Sequence, residues 1–134
     1  MYCLVARYLL SGLAFDQAPE KGIHVLRNIY SKMPEYEREL EWSIRPDEPW
    51  EGNGSGYVVD CMRSAFMIME RAISYEDAVK LAIMLGNDTD TTACVTGGLA
   101  GILFGFHNIP SRWYDALRGK QEVESLIGRM FNTR

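Results

Sequence analysis

Apolar residues recur at helical spacing along almost the whole chain. No stretch alternates convincingly with the period of two that a half-buried strand needs. Tyr2 to Leu10 reads as a first helix, stopped near Gly12. Asp16 is placed to cap a second, from about Pro19 to Tyr30, in which Val25, Leu26 and Ile29 share a side. Pro34 to Ile44 opens with proline in its first turn and predicts a third, heavily charged helix. From Val58 to Arg71 the apolar stripe is Val58, Cys61, Met62, Ala65, Phe66 and Met69. Ser74-Tyr75-Glu76-Asp77 has the form of a capping box and opens a helix to about Leu85. Helices from Asp90 or Thr91 to Phe104, from Ile109-Pro110-Ser111 through Leu117, and from Gln121 to Phe131 complete an all-α reading. Arg45 to Gly56, with two prolines and three glycines, is the clear loop. At this length, 1–134 is expected to be a single, compact α-helical domain.

Two features interrupt this plain helical pattern. Ala93, Gly97, Gly101 and Gly105 are spaced by four, so they form a near-axial row on one helix. Each glycine costs roughly 1 kcal/mol of helix stability against alanine. The compensation expected is close approach of a neighbouring helix, in a tightly packed central position. At the mouth of the same helix stand Asp88, Thr89, Asp90, Thr91 and Thr92. One Asp or Thr there caps the helix. A second carboxylate beside the first adds repulsion that capping does not require. A hard cation such as Mg²⁺ or Mn²⁺ resolves it, because Asp88, Asp90 and Thr91 offer three oxygens from one short turn. Spacing alone leaves capping and metal binding both open.

Composition narrows the field. The net charge is -4, which gives no general attraction for nucleic acid or an anionic membrane. No run approaches the roughly 18 apolar residues of a membrane span. The opening MYCLVARYLLSGLAF lacks a basic start and is broken by Arg7, so it is expected to belong to the fold and not to a signal peptide. The three cysteines, Cys3, Cys61 and Cys94, contain no CxxC pair. They argue against a disulfide framework or structural zinc and fit a reducing, cytoplasmic setting. His24 and His107 stand alone, and His107 is expected to be structural. Glu35, Glu37, Glu39 and Glu41 are expected to form a solvated face. Trp113 is expected to anchor the last helices, and Trp42 and Trp50 to cover surface near the loop.

GNDTDTTACVTGGLAGILFG followed by IPSRWYDAL resembles the C-terminal signature of the ADP-ribosylglycohydrolases. GSGYVVDCMRSAFMIM and SYEDAVKLAIMLG resemble the two segments that precede it, so the likeness runs from about Tyr2 to Leu117. The resemblance implies an all-α fold and cleavage of the glycosidic bond between ADP-ribose and an acceptor, using a pair of Mg²⁺ or Mn²⁺ ions. It implies metal ligands at Asp88, Asp90 and Thr91. It places Ser55, Gly56 and Tyr57 beside the nucleoside part of the ligand, where an aromatic next to glycines suits base stacking. Taken without the resemblance, Tyr57 is as readily a helix-start aromatic packed on the core.

The family pattern also contains an N-terminal half with a Thr-Asp-Asp cluster and an acidic residue for the proton work. Neither Glu35 to Glu41 nor Asp47-Glu48 has that form. The chain is therefore expected to supply part of a site, as a short protein, a split subunit or a fragment. Self-association or a partner chain would complete it. The rival readings are a metal-dependent ADP-ribose or nucleotide reader without turnover, and a structural subunit whose aspartates only cap a helix.

Overall fold

The computed structural model describes residues 1–132. They form helices α1 (Tyr2–Leu10), α2 (Ala18–Tyr30), α3 (Pro34–Arg38), α4 (Val58–Met69), α5 (Tyr75–Met84), α6 (Thr89–Phe104), α7 (Ser111–Ala116) and α8 (Lys120–Asn132). No strand occurs among the described residues, so the fold is all-α, as the periodicity predicts. No helix among them is long and apolar enough to cross a membrane.

Two early boundaries differ from expectation. Asp16 does not cap α2: Gln17 holds the cap position without a side-chain bond, and Pro19, in the first turn, sets the start. Of the expected stripe, Leu26 is buried while Ile29 is half exposed. The helix expected from Pro34 to Ile44 changes character midway. After α3 it widens into a π-helical turn, Glu39–Ile44, closed where Arg45 takes a left-handed φ of 51° and its N–H reaches back to the Leu40 carbonyl. Leu40 is the one buried residue of that turn, so packing of one side chain governs a segment that is otherwise polar.

Helix α4, not the glycine-bearing α6, is the most enclosed element. Cys61, Met62, Ala65, Phe66, Ile68 and Met69 are all buried, and Arg63 and Ser64 with them. Val58, expected in this stripe, lies at the exposed N-terminal rim instead. Phe66 is fully buried and takes the edges of Trp50 and Phe15, at centroid distances of 4.9 and 5.9 Å. Trp50 is thus a core residue, contrary to its expected place on the outer surface, whereas Trp42 is 80% exposed. A long loop from the surface has to bring an indole to α4, and Arg63, 5.2 Å from that ring, helps to seat it.

Helices α5 and α6 form a hairpin. Ser74 accepts the Asp77 N–H at 3.1 Å, and Asp77 in return accepts from the Ile73 N–H, one residue earlier than a strict capping box. The glycine row allows the close contact expected of it: Gly97 and Gly101 lie against Tyr75, and Gly97 also against Val79. Gly105 is not part of that contact; its φ of 85° ends α6. Helix α1 approaches α6 at Gly98, where an added Cβ would stand 2.5 Å from the Tyr2 hydroxyl. That hydroxyl donates to the Val95 carbonyl at 2.8 Å. The side of α6 carrying Thr91, Cys94 and Gly98 stays exposed.

The last helices are carried by α5. Trp113 of α7 is half-buried against Tyr75, and Arg112 pairs with Glu76, so Trp113 anchors at the edge of the core and not within it. Helix α8 is tied to α7 through Tyr114–Glu124 and Lys120–Asp115, with Val123, Leu126, Ile127 and Phe131 exposed. Because Phe66 holds both Trp50 and Phe15, its truncation should be costly. Phe66→Ala is expected to lower stability by about 3–5 kcal/mol, read from denaturant unfolding.

Candidate metal and nucleoside site

The loop before α4 has no regular structure, so its backbone groups need partners elsewhere. Three polar side chains of α4 supply them. Arg63 is buried, and among the described residues no carboxylate forms a salt bridge with it. Its guanidinium donates to the carbonyls of Ile44, Arg45, Pro49 and Glu51 at 2.6 to 3.1 Å. Burial lowers its pKa from the ordinary arginine value. Asp60, in the first turn of α4, accepts from the Asn53 N–H at 3.1 Å, the Ser55 N–H at 2.7 Å and the Ser55 hydroxyl at 2.9 Å. Burial pushes the Asp60 carboxyl up, but these donors outweigh it and hold the group below its usual range. Ser64 accepts the Gly54 N–H at 3.0 Å. Gly52 lies so close to Ser64 that a side chain there would collide with the α4 backbone.

From this anchored loop the chain reaches the start of α6. The Gly54 carbonyl accepts the Asp88 N–H at 2.9 Å and the buried Thr92 hydroxyl at 3.3 Å. Asn87, in a left-handed turn at φ 56°, donates its side-chain amide to the Asn53 carbonyl. The expected residues are thereby brought together. Asp88 caps α6, accepting the Thr91 N–H at 3.4 Å. Its Oδ2 lies 2.5 Å from where a Cβ on Gly56 would sit. A hydrogen bond with Thr91, then one with Asp90, holds the Asp88 carboxyl below the usual carboxylate range. Asp90 and Thr91 are exposed on the first turn.

Of the loop residues expected at a nucleoside, Gly56 is exposed beside Asp88 and Tyr57 is 63% exposed at the cap of α4, not packed on the core. Ser55 is turned the other way, with its N–H and hydroxyl both given to Asp60. A cleft of about 630 Å³ opens alongside. Gly56 and Thr91 line it together with Tyr2, Val58, Val59, Cys94 and Val95, and its walls are mostly apolar. Among the described residues no group of three or more His, Cys, Asp or Glu side chains is placed to hold a metal. Elsewhere, Glu41 departs from the expected solvated face: it and Asp47 share Arg27. His107 is exposed, its ring against Phe106. The three cysteines are unpaired.

Asp60, Arg63 and Ser64 were not singled out by sequence reasoning. Their signal was present: polar residues at i, i+3 and i+4 on an otherwise apolar helix that follows a glycine-rich loop.

The ADP-ribosylglycohydrolase family model matches residues 1–134. The chain belongs to the ADP-ribosylglycohydrolase family. It is 30% identical over 129 residues to the ADP-ribosylarginine hydrolase Tri1 of Serratia proteamaculans, covering 95% of this chain and 33% of that protein. It is 34% identical over 77 residues to the ADP-ribosyl-[dinitrogen reductase] glycohydrolase of Rhodospirillum rubrum, covering 58% of this chain and 26% of that one. Against the human ADP-ribosylhydrolase ARH3 the identity is 35% over 63 residues, or 47% and 16% of the two chains. The chain therefore spans a third or less of the length of these family relatives. No solved structure matches it.

The lowered pKa of Asp60 has a defined sign. A carboxyl whose folded pKa lies below its unfolded value contributes stability above the unfolded value, about 4. That contribution is lost as pH falls through the folded value. Melting temperature should therefore drop on acidification below about pH 4, and drop less steeply in Asp60→Asn, as followed by circular dichroism.

Proposed function

We propose that this chain provides the metal-holding and nucleoside-facing part of a hydrolase that cleaves the glycosidic bond between ADP-ribose and an acceptor. The observation that carries this reading is the approach of Gly56, the residue before the exposed Tyr57, to the Asp88 cap of α6. The donor set suits Mg²⁺ or Mn²⁺: Asp88, Asp90 and Thr91 are hard oxygen donors, and they lie at an exposed helix start beside a glycine. These three residues would hold the ion. When bound, it supplies Lewis-acid charge for glycoside hydrolysis.

The chain's own residues do the remaining work of this half of the site. Gly56 leaves room for the ligand to approach Asp88. Tyr57 offers an exposed ring to the base. Asp88 and Asp90 serve as ligands, because two carboxylates on one helix turn are poorly placed to flank a scissile bond as acid and base. The proton-transferring acid and the further ligands of a metal pair then come from outside these residues, from a partner chain or another copy. The apolar cleft beside Thr91 is where that complement would pack. The unpaired thiols fit a reducing cytoplasm.

A second reading is an ADP-ribose or nucleotide reader without turnover, favoured by the exposed Tyr57 ring beside Gly56, which offers stacking area to a base without an acid. Release of free ADP-ribose from an ADP-ribosylated arginine substrate, with and without Mg²⁺ or Mn²⁺, separates the two. Metal-dependent release that vanishes in Asp88→Ala/Asp90→Ala is expected if copies of the chain complete the site. Metal-dependent ADP-ribose binding without release would support the reader. Binding of neither ion nor ADP-ribose would sink both. Gly56→Val, which places a branched side chain on Asp88, should weaken Mn²⁺ binding by about tenfold or more, measured by titration calorimetry.

A further inference from the structure

We infer that Asp60 is a positioning residue, one that never touches the ligand but sets the place of Gly56 against Asp88; this rests on the functional reading above. The argument starts from Gly54. Its N–H is held by Ser64 on α4, and its carbonyl accepts the Asp88 N–H and the Thr92 hydroxyl on α6. Gly54 is therefore the peptide bridge between the two helices. Asp60 fixes the residues on both sides of it, through the N–H of Asn53 and the N–H and hydroxyl of Ser55. Gly56 follows immediately and lies against Asp88 Oδ2.

The carboxylate is suited to this in a way an isosteric amide is not. Both Asp60 oxygens accept from backbone N–H groups, Oδ1 from Asn53 and Oδ2 from Ser55. An asparagine would turn an NH₂ toward one of those N–H donors and lose that bond. The N–H groups of residues 53, 54 and 55 are taken by Asp60 and Ser64. The outward face of the loop is left to Gly56 and Tyr57. Asp60 is thus the internal anion that decides which side of the loop a ligand meets.

Wild type, Asp60→Asn and Ile68→Ala would be compared, the last as a core-destabilised reference on the same helix. The first readout is exchange of the Asp88 amide proton in the metal-free chain by NMR, alongside melting temperature. Asp60→Asn is expected to speed Asp88 exchange by about tenfold over Ile68→Ala at matched stability. The second readout is ADP-ribose affinity with and without Mn²⁺, where the tightening by Mn²⁺ expected of wild type should be lost in Asp60→Asn. If Asp88 exchange in Asp60→Asn stays as slow as in wild type, Asp60 only ties down its own loop and the inference is overturned. Should wild type bind neither Mn²⁺ nor ADP-ribose, the functional reading fails, and the exchange comparison still decides the positioning role.

Discussion

One helix sorts the polar backbone of the loop that precedes it. Arg63 collects carbonyl oxygens from Ile44 to Glu51, while Asp60 and Ser64 collect N–H groups from Asn53 to Ser55. A buried guanidinium without an acid partner is costly unless its donors are satisfied. Here four carbonyls satisfy them, and the loop is ordered in return. Everything at the site depends on that exchange, because the loop alone has no regular structure with which to hold Gly56 and Tyr57.

The rest of the molecule can be understood as support for it. Trp50 pins the middle of the loop into the core against Phe66. The α5–α6 hairpin, drawn close by Gly97 and Gly101 on Tyr75, delivers Asp88 to the far side of Gly54. Asp60 at the start of α4 and Asp88 and Asp90 at the start of α6 each lie at the end of a helix whose dipole favours negative charge. Asp60 and Asp88 are held below the usual carboxylate range by their hydrogen bonds, in places where helix geometry already favours negative charge.

The sequence made the helices legible because their apolar spacing is strong, and it made the place of Asp88, Asp90 and Thr91 at the start of α6 legible because Asp and Thr favour a helix N-terminus. It was weakest where one long-range contact decides the outcome. The π-helical turn after α3 follows from burial of Leu40, and no propensity encodes it. Trp50 looked like a surface residue because its partner, Phe66, is distant in sequence. Ser55 looked like a ligand-facing residue, and only the position of Asp60 turns it inward. Arg63 sits between core positions, and an arginine there reads as solvent-facing until its carbonyl acceptors are known.

The same hydrogen bonds imply an order of assembly. Asp60 and Ser64 reach loop residues only 5 to 10 positions away, whereas the bonds from Asn87 and Thr92 to the loop span 34 and 38. Short closures cost less chain entropy than long ones. Loop and α4 form a local unit that can be in place before α5 and α6 fold back on it. The aspartate end then docks on a surface already shaped to receive it, and the site closes only after its loop is in place.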